Sequence, residues 1–179
     1  MQRSELEHLI RASGEISGDD EIIIIGSQAI LGQFPDAPLR LLASMEADVY
    51  PKNRPDQSDR VDGAIGEGSS FHELHGYYAQ GVGERTATLP GGWRARLIAV
   101  RNENTNGVTG LCLEVHDLAI SKLVARRVKD MEFVQHLIQQ SMINEQNMLA
   151  RLEETDLQDT VRGDLQTRIR SLFAGRQTK

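Results

Sequence analysis

The chain has 179 residues, of which 39% are hydrophobic and 26% charged, with five prolines and a formal net charge of -6. That is a globular profile with enough chain to bury a core, and it excludes a disordered, collagenous or disulfide-stapled protein. Cys112 is the single cysteine, which rules out an intramolecular disulfide or a cysteine zinc cage, and the acidic balance argues against broad nucleic-acid binding, which needs many Lys and Arg contacts to phosphates.

Met1 to Gly14 reads as an amphipathic helix through Leu6, Leu9 and Ile10, ended by Gly14 and Gly18. It lacks the basic end, apolar run and cleavage site of a signal peptide. The longest apolar run, Ile22 to Ile25, is far too short for a membrane span, so a cytoplasmic protein with no membrane partner is expected. Glu21 to Ile25 is β-branched and bounded by Asp19-Asp20 and Gly26, the pattern of a strand buried on both faces in mid-sheet. Ser27 to Leu31 opens a helix, and Pro35 and Pro38 bound the following loop.

Ser44 to Tyr50 predicts a second strand, with Met45, Ala47 and Val49 on one face and Glu46 and Asp48 on the other. Lys52 to Arg60 is an exposed loop, Val61 to Gly68 holds a short helix, and Ser70 to Glu73 fits a capping box. Strands are expected around Tyr77–Val82, Arg85–Leu89 and Trp93–Val100, separated by Pro90-Gly91-Gly92 and followed by a turn at Asn102 to Gly107, which makes the middle of the chain a meander. Leu111, Leu113 and Val115 alternate into a last strand, and Asp117 is placed to cap a helix through Leu118, Leu123 and Val124. Apolar residues at three- and four-residue spacing then predict helices over Asp130–Gln140, Ser141–Glu154 and Gln158–Phe173. The whole is an α/β core over residues 1–138 with a helical C-terminal extension over 139–179.

Three features carry chemistry. Gly26-Ser27 leaves a buried strand at a helix start, where glycine admits close backbone approach, a hydroxyl can donate and the helix end favours anions; a plain turn and cap is the alternative. Glu46 and Asp48 share one strand face and can clamp a divalent ion against a triphosphate, whose transfer chemistry is mostly positioning and charge neutralisation; a solvated sheet edge is the alternative. Lys122, Arg126 and Asp130 recur every four residues and would share a face if the helix continued through them, holding a phosphate tail; a surface ion pair, or Asp130 capping a new helix, is the alternative. His72 and His75 flank Glu73 without an evident third zinc ligand, His116 beside Asp117 fits a capping role, and Trp93 is a packing anchor or a base-stacking ring.

The order Gly26-Ser27, Glu46-x-Asp48 and Asp117-Leu-Ala-Ile-Ser-Lys-Leu-Val-Ala-Arg-Arg-Val-Lys-Asp130 resembles the nucleotidyltransferase-like proteins related to abortive-infection-type toxins. Phe71-His-Glu-Leu-His-Gly-Tyr-Tyr78 and Leu89-Pro-Gly-Gly-Trp-Arg-Ala-Arg96 are similar to an uncharacterised bacterial branch of that superfamily, and the likeness covers Glu21 to Leu137. The resemblance implies a nucleotidyltransferase-like mixed sheet with flanking helices, Mg²⁺ or Mn²⁺, and a nucleoside triphosphate as substrate. It places Glu46, Asp48, Lys122 and Asp130 in the catalytic site, Gly26, Ser27, Lys122 and Arg126 on the nucleotide, and Glu46, Asp48 and Glu114 on the metal. The implied acceptor is an RNA, a protein or a small molecule. The alternative is a non-catalytic nucleotide- or protein-binding member, half of a toxin–antitoxin pair with a cognate partner protein. Two departures stand out: the first acid is Glu46 where the superfamily usually has Asp, and Glu114 is only the best substitute for a third strand carboxylate.

Overall fold

The structure, a computed structural model, describes residues 1–175, so the last four residues of the helical extension expected over 139–179 lie outside the described residues. The chain packs into two compact units: Met1–Thr86 with Leu97–Glu114, and Ala87–Arg96 with the chain from Val115 onward. This division follows packing and falls elsewhere along the chain than the one drawn at 138/139 from periodicity.

The first unit is a mixed sheet with helices. Helix α1 (Arg3–Ser17) buries Leu6, Leu9 and Ile10 and ends at Gly18, whose φ of 67° suits glycine. Gly14 does not end this helix; a Cβ there would lie 2.6 Å from Val108, so the glycine admits close packing inside it. Strand β1 (Glu21–Ile24) leads into a 3-10 turn, Ser27–Ala29, and a one-turn helix α2 (Ile30–Gln33). Then come β2 (Glu46–Pro51), α3 (Ser58–Ile65), α4 (Ser70–His75), β3 (Tyr78–Gly81), β4 (Ile98–Val100) and β5 (Thr109–Cys112). The cap of α4 is Ser69, whose side chain accepts from His72 N–H, one residue before the expected box.

The sheet runs β3-β2-β1-β5-β4, with β1 in the centre as its all-isoleucine interior requires. β1 pairs antiparallel with β2 and parallel with β5, while β3 lies parallel to β2 and β4 antiparallel to β5. α3 and α4 supply the crossover that the parallel β2–β3 pair needs. The expected meander is therefore corrected: β3 and β4 sit on opposite edges of the sheet. Arg85–Leu89 forms no strand, and Trp93–Arg96 is a 3-10 turn. The stretch around Pro90-Gly91-Gly92 departs to the helical unit, where Pro90 bridges Thr155 and Gly91 N–H donates to Glu154 O at 2.8 Å.

In the second unit α5 (Val115–Ala125) is buried from Val115 through Leu123. Arg126 then adopts φ 59° and α6 (Val128–Gln139) starts afresh, followed by α7 (Glu145–Glu153), capped by the Asn144 side chain, and α8 (Asp159–Ala174). The block from Asp117 to Asp130 thus spans two helices, in line with the separate helices expected through Val124 and from Asp130. Among the described residues, no helix is long and apolar enough to cross a membrane.

Candidate functional site

Strand β2 alternates as its sequence demands: Ala47 and Val49 are fully buried, while Glu46 and Asp48 are half-buried on the other face. Ile25 N–H donates to Asp48 O at 3.1 Å, which continues the ladder to the end of β1 and sets Asp48 beside the turn that follows. There the Asp48 carboxylate occupies the volume a side chain on residue 26 would fill, since a Cβ on Gly26 would lie 1.9 Å from its Oδ2. The φ of Gly26 is -83°, a value any residue adopts, so space and not backbone freedom is why this position is glycine.

Ser27 is half-buried at the start of the 3-10 turn. The helix expected to begin here extends only through Gln33, too short to sum a useful helix dipole; backbone amides of the turn are what remains of the anion cradle. Gln28, in the same turn, is fully buried, and neither atom of its amide has a hydrogen-bond partner among the described residues. An unpaired buried amide costs about 1–3 kcal/mol, so its place in the turn calls for a reason beyond packing. No periodic pattern marks Gln28 in the sequence.

On the far side of β2 the register sets Tyr78 beside Glu46 and Gln80 beside Asp48. The Tyr78 hydroxyl donates to Glu46 Oε2 at 3.3 Å. Burial, then the charges of Glu46 and Glu67, push the phenol up to about 12, so it remains a donor across the physiological range. Glu114 follows β5, on the side of β1 away from β2. Among the described residues, no three of His, Cys, Asp and Glu form a group able to hold a metal ion. The pair Glu46 and Asp48 does offer hard oxygen donors on one face, next to a backbone stripped of its side chain. That combination fits a divalent ion that arrives with phosphate oxygens to complete its shell.

The second unit holds a different kind of acid. Lys122 is 7% exposed and its Nζ lies 3.3 Å from Asp130 Oδ1, while Arg127 Nε lies 2.6 Å from Oδ2. Burial alone would raise the Asp130 carboxyl, but the Arg127 hydrogen bond and the Lys122 charge outweigh it and hold the group below the ordinary carboxylate range. Lys122 also lies 5.9 Å from the centre of the Phe133 ring. The face expected to carry Lys122, Arg126 and Asp130 together is corrected: Arg126 is the exposed left-handed residue between the helices, and Lys122 meets Asp130 across the break.

Asp117, read as a cap, is fully buried and takes a two-pronged ion pair from Arg96, with both contacts at 2.8 Å, while Arg151 Nε lies 3.2 Å away. Arg96 and Arg151 are residues that sequence reasoning missed. His116 Nε2 accepts from Asn144 N–H at 3.2 Å, which ties α5 to the cap of α7. His72 Nδ1 accepts from Gly68 N–H at 3.1 Å. Trp93 is buried with the Arg94 guanidinium 4.6 Å from its ring centre, the packing role. Cys112 is fully buried and its thiol is pushed up to about 12 by burial, which leaves it unreactive.

A family model described as a nucleotidyltransferase of unknown function (DUF6036) matches residues 4–170. No curated protein and no solved structure matches the chain.

Proposed function

The chain belongs to this family of nucleotidyltransferases of unknown function, and on that premise we propose that it transfers a nucleotidyl group from a nucleoside triphosphate to an acceptor hydroxyl at the Gly26–Asp48 site. The acceptor oxygen bonds to the α-phosphorus as the bond to pyrophosphate breaks. One observation carries the reading: the Asp48 carboxylate lies in the space that a side chain on residue 26 would fill, so an acid stands against the backbone of the turn.

In this reading Glu46 and Asp48 hold Mg²⁺ or Mn²⁺, which when bound neutralises the triphosphate charge. The turn amides at Gly26 and the Ser27 hydroxyl bind phosphate oxygens, and the pleat of β2 keeps both carboxylates on one face. Glu114, which follows β5, is the third acid of this reading. In the helical unit Arg126 is exposed, whereas Lys122 and Asp130 are held in their mutual ion pair. An RNA or protein acceptor, and kinship with abortive-infection-type toxins, are the finer parts of the same proposal.

A second reading has one observation in its favour. The β3 neighbours of the two acids are Tyr78 and Gln80, both uncharged, so the strand pair carries two carboxylates and no third. Such a site can bind nucleotide without turning it over, as a binding module or a toxin–antitoxin component with a cognate partner protein.

Thermal unfolding tests the shared premise. Mg²⁺ or Mn²⁺ together with ATP or another triphosphate is expected to raise Tm more than either alone. At a hundredfold excess over Kd the gain is about 2.7 kcal/mol, and Glu46→Ala/Asp48→Ala should abolish it. Equal shifts in wild type and double variant would remove the metal site.

A further inference from the structure

The proposed site leaves unexplained how Glu46, a longer and more flexible acid than Asp48, keeps its carboxylate in place. The geometry points to Tyr78 as the positioning residue: its hydroxyl donates to Glu46 and fixes that carboxylate as a ligand for the divalent ion, an inference that rests on the metal-and-triphosphate reading above.

Tyr78 is itself braced. It stands at the first position of β3, in register with Glu46 on β2, so its Cα and the direction of its side chain are set by the ladder. Its ring lies 4.6 Å from that of His72, centroid to centroid. His72 is held in turn, because its Nδ1 accepts from Gly68 N–H and its own N–H donates to the Ser69 cap of α4. A glycine N–H, a capped helix turn, an imidazole, a phenol and a carboxylate thus form one line of support ending at Glu46 Oε2. The phenol donates to Glu46 Oε2 and leaves the other carboxylate oxygen free of that contact. It adds no negative charge. A hydrogen bond of this kind orients a ligand without competing for the ion, as the partners behind metal ligands commonly do.

The test is a cycle of four proteins: wild type, Tyr78→Phe, Glu46→Gln and the double variant. Bound Mn²⁺ is followed by electron paramagnetic resonance in the presence of ATP, and metal-free stability by urea unfolding. Tyr78→Phe keeps the ring against His72 and is expected to leave the fold intact. It should weaken Mn²⁺ binding about tenfold in the wild-type background, the lower end of the loss usual for such partners, and leave it unchanged once Glu46 is Gln. Without metal, the two substitutions should fall short of additivity by about threefold in the unfolding constant.

Three results would overturn the inference. Equal weakening by Tyr78→Phe with and without Glu46 would make the tyrosine a scaffold residue only. Unchanged Mn²⁺ affinity would show that Glu46 needs no support. If wild type binds no Mn²⁺ with ATP while the metal-free coupling persists, the metal reading itself fails and the role of the phenol falls with it, an outcome distinct from the other two.

Discussion

The acids of the two units differ in company. In the helical unit Asp117 and Asp130 are almost wholly buried, and each lies against two cationic side chains. In the sheet unit Glu46 and Asp48 are half-buried, Glu46 is met by an uncharged phenol, and Asp48 lies against the backbone of Gly26. A carboxylate already neutralised in a dry setting holds the fold, and recruiting it for a ligand means breaking a pair whose loss leaves buried charge uncompensated. Two carboxylates side by side on a strand repel each other and gain when a divalent ion arrives. On the proposed function, the first pair holds the fold and the second takes up the ligand.

The comparison is most easily broken at Asp117. Asp117→Asn strips the charge from between Arg96 and Arg151 and should cost about 3–5 kcal/mol in urea unfolding, the usual loss when one member of a buried ion pair is removed. A cost below about 1 kcal/mol would mean that the network is as cheap as a surface ion pair, and the contrast would collapse.

Asp130 should show a smaller loss with a defined pH dependence. Its carboxyl lies lower in the folded state than in the unfolded chain, so the folded state binds the proton less readily. The stability it contributes is complete above the ordinary carboxylate pKa and disappears as pH falls through the depressed folded value. Asp130→Asn is therefore expected to be less stable than wild type at pH 7 by about 2–3 kcal/mol, with the gap closing in acid. A gap that stays constant, or widens as pH drops, would show that the Lys122 and Arg127 contacts do not act through charge.

The smallest stability effect belongs to the sheet pair. Glu46→Gln/Asp48→Asn should change metal-free stability by less than about 1 kcal/mol, and toward greater stability if repulsion dominates. A large loss would place these acids with Asp117.

The features legible in the sequence were the local ones. An isoleucine run ending in Gly-Ser and an alternation of period two each lie within a few residues, so β1, the turn and the acidic face of β2 could be read directly. The partners of those residues could not. The Glu46–Tyr78 register joins residues 32 positions apart across a parallel crossover, and the Arg96–Asp117–Arg151 cluster joins a 3-10 turn and two helices; neither leaves a periodic trace. Arg126 looked like one more helical residue because Arg-Arg carries no breaker, yet its φ of 59° ends the helix. Arg85–Leu89 reads as a strand by composition, but the neighbouring Pro90-Gly91-Gly92 stretch is drawn to Glu154 and Thr155 by contacts made far along the chain.

The central claim is that Glu46 and Asp48 serve transfer, and its most direct measurement is label incorporation. The protein is incubated with each of the four α-labelled triphosphates, Mg²⁺ or Mn²⁺, and a cell extract supplying RNA, protein and small-molecule hydroxyls. The account predicts a labelled acceptor with wild type and at least a hundredfold less, roughly, with Asp48→Asn, which keeps the shape beside Gly26 while removing a charge on which transfer depends. Tight nucleotide binding with no acceptor labelled under any triphosphate and either metal, or labelling that Asp48→Asn leaves intact, would contradict it.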